Sequence, residues 1–419
     1  MLGQLRVAPF TNTESDPADG VPAVVLGESV TALGAVRCLG RRGIRALVPG
    51  PHRDYASWSR WTRRLPGELG AEPEGGSLAG YLQRLPVDRA VVLPCSDGWT
   101  RAVAALPDGL GARFPSSVAS PAAVEWFLDK GRFAALLERE GVPHPRTIVS
   151  ADPGALGDWA DASSSVSFFL KPNDSQAFTS RFGVKALRVD DPREAEATMA
   201  EAAREGLELM LQEYVPGPAG SHYFVDGYVA RDGRTVARLA RRRLRMYPPD
   251  FGNSTYHVTV PLEDVGEAAG RLEALLSSVG YRGIFSAEYK RDDRDGELKL
   301  LEVNVRPWWY VEFAALCGVD VCLLAYREAL GLPVDSIGGY VVGARCVLPG
   351  ADVRAFLALR ASDELGLVRW LRSWVGASHA VFSPDDPLPI LRQLGEVAAR
   401  RLRRRPARPS LTPARRGNP

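Results

Sequence analysis

The stretch IFSAEYKRDDRDGELKLLEVNVRPWWYVEFAALCG, residues 284–318, decides how the chain is read. Segments 284–290 and 298–305 are short, apolar-rich and alternating, and RDDRDG between them is a turn cluster ending in Gly, so the pair predicts a β-hairpin. Strand period two then puts Leu300, Glu302 and Asn304 on one face and Ser286, Glu288 and Lys290 on one side of the partner strand. A turn centred near Arg294 sets Glu288 opposite Leu300 and diagonal to Glu302, a separation that a metal ion can bridge. Carboxylate and amide oxygens are hard ligands that suit Mg²⁺, which takes one or two protein carboxylates and completes its shell with water and phosphate. Arg306 follows at once, and its forked, permanently charged guanidinium suits a phosphoryl group in transfer. The competing reading of each acid alone is a solvated hairpin carboxylate.

An acid on one strand followed by LLEVNVRPW on the next resembles the metal-binding end of the ATP-grasp superfamily, whose E-x-N-x-R motif holds Mg²⁺ and the triphosphate. The resemblance implies Glu288, Glu302 and Asn304 as metal ligands, with Mn²⁺ as an alternative ion, and Arg306 as a catalytic residue. It also directs attention upstream. PAAVEWFLDKGRFAALLERE (121–140) predicts one helix with Pro in its first turn and Gly141 as its stop, and Lys130 matches a phosphate-contacting lysine. VSFFLK (166–171) predicts a strand whose Lys171 reaches the α- and β-phosphates. The following loop, PNDSQAFTSRFGVK, is the expected phosphate cover, but Gly183 is its only glycine, and Lys185 beyond it is a second candidate cation. LELMLQEYVPG (207–217) resembles the adenine hinge, with Glu213, Tyr214 and Val215 in place. Against this, a strand-end acid such as Glu213 is commonly exposed.

SHYFVDGYVA and TVARLARRRLRM, joined by RDG, predict a second hairpin. Alternation puts Arg241, Arg243 and Arg245 on one face, either lining the cleft or forming a basic solvated edge. Arg243 is assigned to the nucleotide, and Arg245, Arg306 and Trp308 to the substrate. PPDFGNST reads as a loop, and 262–280 as an amphipathic helix burying Val265, Ala269, Leu272, Leu276 and Val279. The aromatic cluster 308–310 is either core or pocket wall.

At the other end of the chain, AVVLG (23–27), a helix over 30–41, IRALV, and AVVLP (90–94) followed by a CSDG turn and another helix predict a small open α/β domain. With Gly27 and Gly34 but no full G-x-G-x-x-G, a dinucleotide-binding oxidoreductase is the lesser reading. In the ATP-grasp reading, Gly27, Glu28, Ser29 and the turn 96–98 face the active site. Downstream, VVGARCVLP predicts a strand, and 351–361 and 389–404 predict helices; this extension covers the pocket or forms a homodimer surface.

Composition agrees with an ordinary soluble globular protein: 419 residues, 45% apolar, 24% charged, net charge +2. Residues 400–416 are Arg-rich with few large apolar side chains, which predicts a solvated tail in preference to a nucleic-acid or membrane segment. Cys38, Cys95, Cys317, Cys322 and Cys346 are scattered, and neither a membrane span nor a secretory signal is apparent, so the cytoplasm is expected.

The resulting expectation is α/β and α+β: a leader (1–20), a Rossmann-like domain (21–120), a two-subdomain ATP-grasp fold (121–335), a C-terminal extension packed on it (336–400) and a disordered basic tail (401–419). The function implied is an ATP-dependent carboxylate–amine ligase acting on a small-molecule acid and amine. Its alternatives are a carboxylase using bicarbonate and an inactive nucleotide-binding regulator.

Overall fold

Four short strands open the molecule: β1 (Ala23–Leu26), β2 (Ala46–Pro49), β3 (Thr62–Leu65) and β4 (Val91–Pro94), in a parallel sheet of order β3-β2-β1-β4. The computed structural model describes residues 20–50, 54–67, 69, 77–148, 167–172, 187–189, 191–205, 209–249, 252–362 and 364–403. β1, β2 and β4 are buried along their whole length, which explains their unbroken apolar runs: both faces of a parallel sheet are covered. Helix Ser29–Arg41 packs on this sheet and on the later helix Val311–Leu316. A Cβ at Gly34 would lie 2.8 Å from Val311 Cγ1, so this glycine permits close helix packing and has no phosphate-loop role.

The second sheet is antiparallel, of order β5-β8-β6-β7: β5 (Thr147–Ile148), β6 (Phe168–Pro172), β7 (Leu187–Val189) and β8 (Leu209–Glu213). Helix Pro192–Arg204 covers it, with Ala195, Met199 and Ala202 packed on Phe168, Leu170 and Leu211. The third and largest sheet holds β9 (His222–Val229), β10 (Thr235–Tyr247), β11 (Asn253–Val260), β12 (Gly283–Arg291), β13 (Leu298–Asn304), β14 (Arg345–Val347) and β15 (Ser378–His379). Their order is β13-β12-β9-β10-β11-β14-β15, so the C-terminal extension adds its two strands to the sheet that carries the hairpin.

Several sequence expectations change. The helix expected over 121–140 is two, Pro121–Leu128 and Lys130–Arg139, because Asp129 takes an extended conformation and its side chain accepts from Arg132 N at 2.8 Å, capping the second helix. The helix expected over 262–280 is a 3₁₀ turn, Leu262–Val265, and then Glu267–Ser278, separated by Gly266 at φ +50. β11 and helix Leu367–Trp374 were not expected from the sequence.

The hairpin forms, but its register differs. Glu288 pairs directly with Glu302, and Ser286 with Asn304, whereas Tyr289 pairs with Leu300. A β-bulge inserts one residue between these pairs, so Leu300 turns into the core with Tyr289 while Glu302 stays on the cleft side. Simple alternation placed Leu300 and Glu302 on one face; the bulge separates them.

Candidate active site

The three sheets border one cleft of about 1400 Å³. At its hairpin end, Glu288 and Glu302 are cross-strand partners, and Asn304 Nδ2 donates to Glu302 Oε1 at 3.0 Å. Glu288 Oε1 accepts from Arg243 Nη2 and from His222 Nδ1, both at 2.8 Å. Burial works to raise the Glu288 pKa, but the Arg243 guanidinium and the His222 hydrogen bond outweigh it and hold the carboxyl at about 2. Burial, and then the positive charge of Arg243, lowers His222 to about 4, so a neutral imidazole donates from Nδ1 to Glu288.

Glu302 behaves in the opposite way. Loss of solvation, and then the charge on Glu288, raise its pKa, even though the residue is reached by solvent along the open cleft. Two facing carboxylates whose mutual repulsion helps to raise the Glu302 pKa, beside an amide oxygen, fit a hard divalent cation that completes its shell with water and phosphate. No group of three or more His, Cys, Asp or Glu that could hold a metal occurs among the described residues.

Across the cleft, Lys171 on β6 donates to Gln212 Oε1 on β8 at 2.5 Å. Burial lowers the Lys171 pKa, and the charges of Glu302 and Glu288 oppose that shift. Lys130, the first residue of its helix, also borders the cleft, as do Glu213, Tyr214 and Val215 at the end of β8. Glu213 accepts from Arg146 N at 3.2 Å and Arg294 Nη1 at 2.5 Å, which ties the hinge to the hairpin turn. The Tyr214 ring meets Phe169 edge-on with centroids 5.3 Å apart, and Lys290 Nζ lies 4.4 Å from its centre. Lys185 and the glycine-poor loop before it lie outside the described residues.

Arg306 pairs with Asp97 through Nε at 2.7 Å and Nη2 at 3.2 Å. Asp97 opens helix Asp97–Ala104, whose Ser96 cap accepts from Trp99 N at 3.2 Å. The N-terminal sheet thus contributes the turn 96–98, together with Glu28 and Ser29, to the same cleft, and it holds the motif arginine. Ser29 sits at φ 72, a left-handed conformation that is costly for a residue with a Cβ.

Two assignments sort differently. Trp308, open in the sequence between core and wall, is both: 5% exposed and bordering the cleft. Arg245 does not belong to the site. Its guanidinium is bidentate on Asp352, through Nε at 2.8 Å and Nη2 at 2.7 Å, away from the cleft lining. The β10–β11 ladder shifts register on either side of Arg245, and such irregularities re-aim side chains that alternation would keep together.

Sequence reasoning missed the floor of the cleft. Arg241 donates to Asp226 Oδ2 through Nε at 2.6 Å, and Ser286 Oγ donates to Asp226 Oδ1 at 2.6 Å. His222, the first residue of β9, was likewise missed, yet it supports Glu288 through Nδ1 at 2.8 Å. The signal for Arg241 was present, since it shares a face with Arg243, but its partner Asp226 is identifiable only from the β9–β10 pairing.

Among the described residues no helix is long and apolar enough to cross a membrane. No protein-family model matches the chain. It is 23% identical over 239 residues to D-aspartate ligase of Enterococcus faecium (strain Aus0004), covering 55% of this chain and 56% of the relative. It is 29% identical over 211 residues to D-alanine–D-alanine ligase of Acidiphilium cryptum (strain JF-5), covering 46% and 63%. The matches thus span less than two thirds of these relatives' length. Among solved structures, N5-carboxyaminoimidazole ribonucleotide synthetase from Thermus thermophilus superposes with a TM-score of 0.57 at 18% identity, covering 77% of this chain and 81% of that one. The biotin carboxylase domain of the Hydrogenobacter thermophilus 2-oxoglutarate carboxylase, in complex with MgADP, ADP and bicarbonate, does so with 0.58 at 14%, covering 77% and 73%. The chain thus has the ATP-grasp fold of these structures and is similar in sequence, over about half its length, to the two ligases.

Proposed function

We propose that the chain is an ATP-dependent carboxylate–amine ligase. The observation that carries this reading is the convergence of Lys171, Glu288, Glu302, Asn304 and Arg306 in the cleft that also borders the Glu213–Val215 segment. Adenine packs against that segment, and Lys130 and Lys171 balance phosphate charge. Glu288, Glu302 and Asn304 would hold Mg²⁺, which supplies charge neutralisation at the phosphates when bound. Mn²⁺ would suit the same hard donor set.

A carboxylate oxygen of the acid attacks the γ-phosphorus, the bond to the β-phosphate oxygen breaks, and ADP leaves. The amine nitrogen then attacks the acyl carbon, phosphate departs, and the nitrogen loses a proton to give the amide. Two anions must approach in the first step. Arg306 and Lys171 offset that repulsion, and Asp97 orients Arg306 until substrate charge competes for it. No side-chain nucleophile is required. The cysteines are free and buried, which supports the reducing, cytoplasmic setting expected from the sequence.

A second reading, ATP-dependent carboxylation with bicarbonate, draws on the bicarbonate-bound structural neighbour. Pairwise screening of amino acids with ATP, reading ADP and product mass, tests the first; ADP release with bicarbonate and no amine would favour the second. Glu302→Gln and Arg306→Ala are each expected to abolish substrate-dependent ADP release with the fold intact. Full activity in either variant would sink the site assignment.

A further inference from the structure

Resting on the ligase reading, we infer that the cleft floor carries a second anion subsite, built on Arg241 and Trp308, that holds a carboxylate of the acid substrate other than the one being activated. Arg241 is 4% exposed and Trp308 5%, and both border the cleft. Among the described residues, Arg241 Nη1 and Trp308 Nε1 are buried without a hydrogen-bond partner. Unpartnered buried donors are rare because each carries its full desolvation penalty. A guanidinium N–H and an indole N–H can only donate, so the missing partner is an acceptor, and beside a guanidinium an anionic oxygen is favoured.

Position distinguishes this subsite from the nucleotide and from the reacting carboxylate. The strand order β13-β12-β9-β10 puts Glu302 on the edge strand β13, Glu288 on β12, and Arg241 two strands beyond Glu288, on β10. Phe224 is the cross-strand partner of both Glu288 and Arg241. The Arg241 guanidinium leans back over the Phe224 ring, 3.7 Å from its centre. The guanidinium therefore lies over β9, about one strand spacing, roughly 5 Å, from β12, the strand that carries Glu288. A chain of a few methylenes spans that gap, with the rings of Phe224 and of Tyr310, whose centre is 5.7 Å from the Arg241 guanidinium, as its apolar walls. Tyr310 belongs to the same turn as Trp308, which brings the indole to this part of the cleft. Arg243 cannot play this role, since Glu288 and Ser254 already accept from it. The substrate class that fits is a dicarboxylic acid or an acidic amino acid.

The test is titration calorimetry of the full chain holding Mg²⁺ and a non-hydrolysable ATP analogue, with succinate, glutarate and glutamate as two-carboxylate probes and butyrate and alanine as single-carboxylate probes. The two-carboxylate probes are expected to bind about tenfold tighter or more, the size of one charged hydrogen-bonded contact. Arg241→Lys and Trp308→Phe should each erode that preference without changing affinity for the nucleotide analogue. Trp308→Phe keeps the aromatic bulk and removes only the donor edge, so it guards against misfolding. Equal affinity for succinate and butyrate, or unchanged succinate binding in both variants, overturns the subsite. ADP release separates the two ideas. Equal release with one- and two-carboxylate acids upholds the ligase and removes the subsite; succinate binding that depends on Arg241, with no release from any acid and amine, upholds the subsite and removes the ligase.

Discussion

The middle and the C-terminal end of β10 use the same residue type in opposite ways. Arg245, 8% exposed, donates twice to Asp352 and, at 3.0 Å, to Ser373 Oγ. Asp352 also accepts from Thr255 Oγ1, Trp370 Nε1 and Trp374 Nε1, each at 2.8 Å, so its lone pairs are fully used. Four residues earlier, Arg241 is as deeply buried, yet Nη1 is without a partner among the described residues, as are His222 Nε2, both His257 nitrogens and Trp308 Nε1. Burial and residue type do not tell architecture from function here. The use of donors does: a saturated network fixes the C-terminal helices to the sheet, and an under-used one waits for a ligand.

The largest effect that would test this contrast is Asp352→Ala. It leaves a buried guanidinium and two indole donors without their acceptor, so a loss of about 3–5 kcal/mol in unfolding free energy is expected. Urea denaturation measures it. Activity per folded molecule should persist, because Asp352 lies outside the cleft lining. A loss below about 1 kcal/mol, the worth of an ordinary hydrogen bond, would mean the network is not the anchor described.

A finer comparison uses one chemical group in both places. Trp370→Phe removes an indole N–H that meets a carboxylate and should cost about 1.5–3 kcal/mol, beyond any change in its stacking on Phe356. Trp308→Phe removes an indole N–H with no partner and borders open space, so thermal unfolding should shift little. Equal destabilisation by the two substitutions would erase the distinction between the two positions on β10.

How much of this was legible in the sequence follows from which interactions are local. The hairpin, its metal-type donors and Arg306 could be read because strand alternation and a turn signal lie within one short stretch. The Glu288–Glu302 register could not, since a single-residue bulge resets the faces, and nothing in LKLLEVN marks it. The break at Asp129 had its signal, an Asp in a capping position, overridden by strong helical periodicity on both sides. Arg245 was misassigned because its partner lies 107 residues later, in an extension whose role is visible only once β14 and β15 join the sheet. Arg306 likewise meets Asp97 across 209 residues.

The smallest expected effect concerns the metal end, where the facing side chains Glu288 and Glu302 are both carboxylates. The Glu302 pKa is raised above the ordinary 4.5 by lost solvation and by Glu288, so its ionised form is disfavoured in the folded state. The sign follows: stability is unpenalised below the unfolded value and falls as pH rises through the folded value. Metal-free Glu302→Gln should therefore melt slightly higher than the parent protein near neutral pH, with the difference closing as pH drops below 4.5. The side chain's access to solvent keeps the shift small, and its direction is what matters. Adding Mg²⁺ should reverse the order by stabilising the parent and not the variant. A variant that melts lower than the metal-free parent at neutral pH would show that Glu302 is satisfied by the protein alone, and the hairpin would then belong with Asp352 among the closed networks.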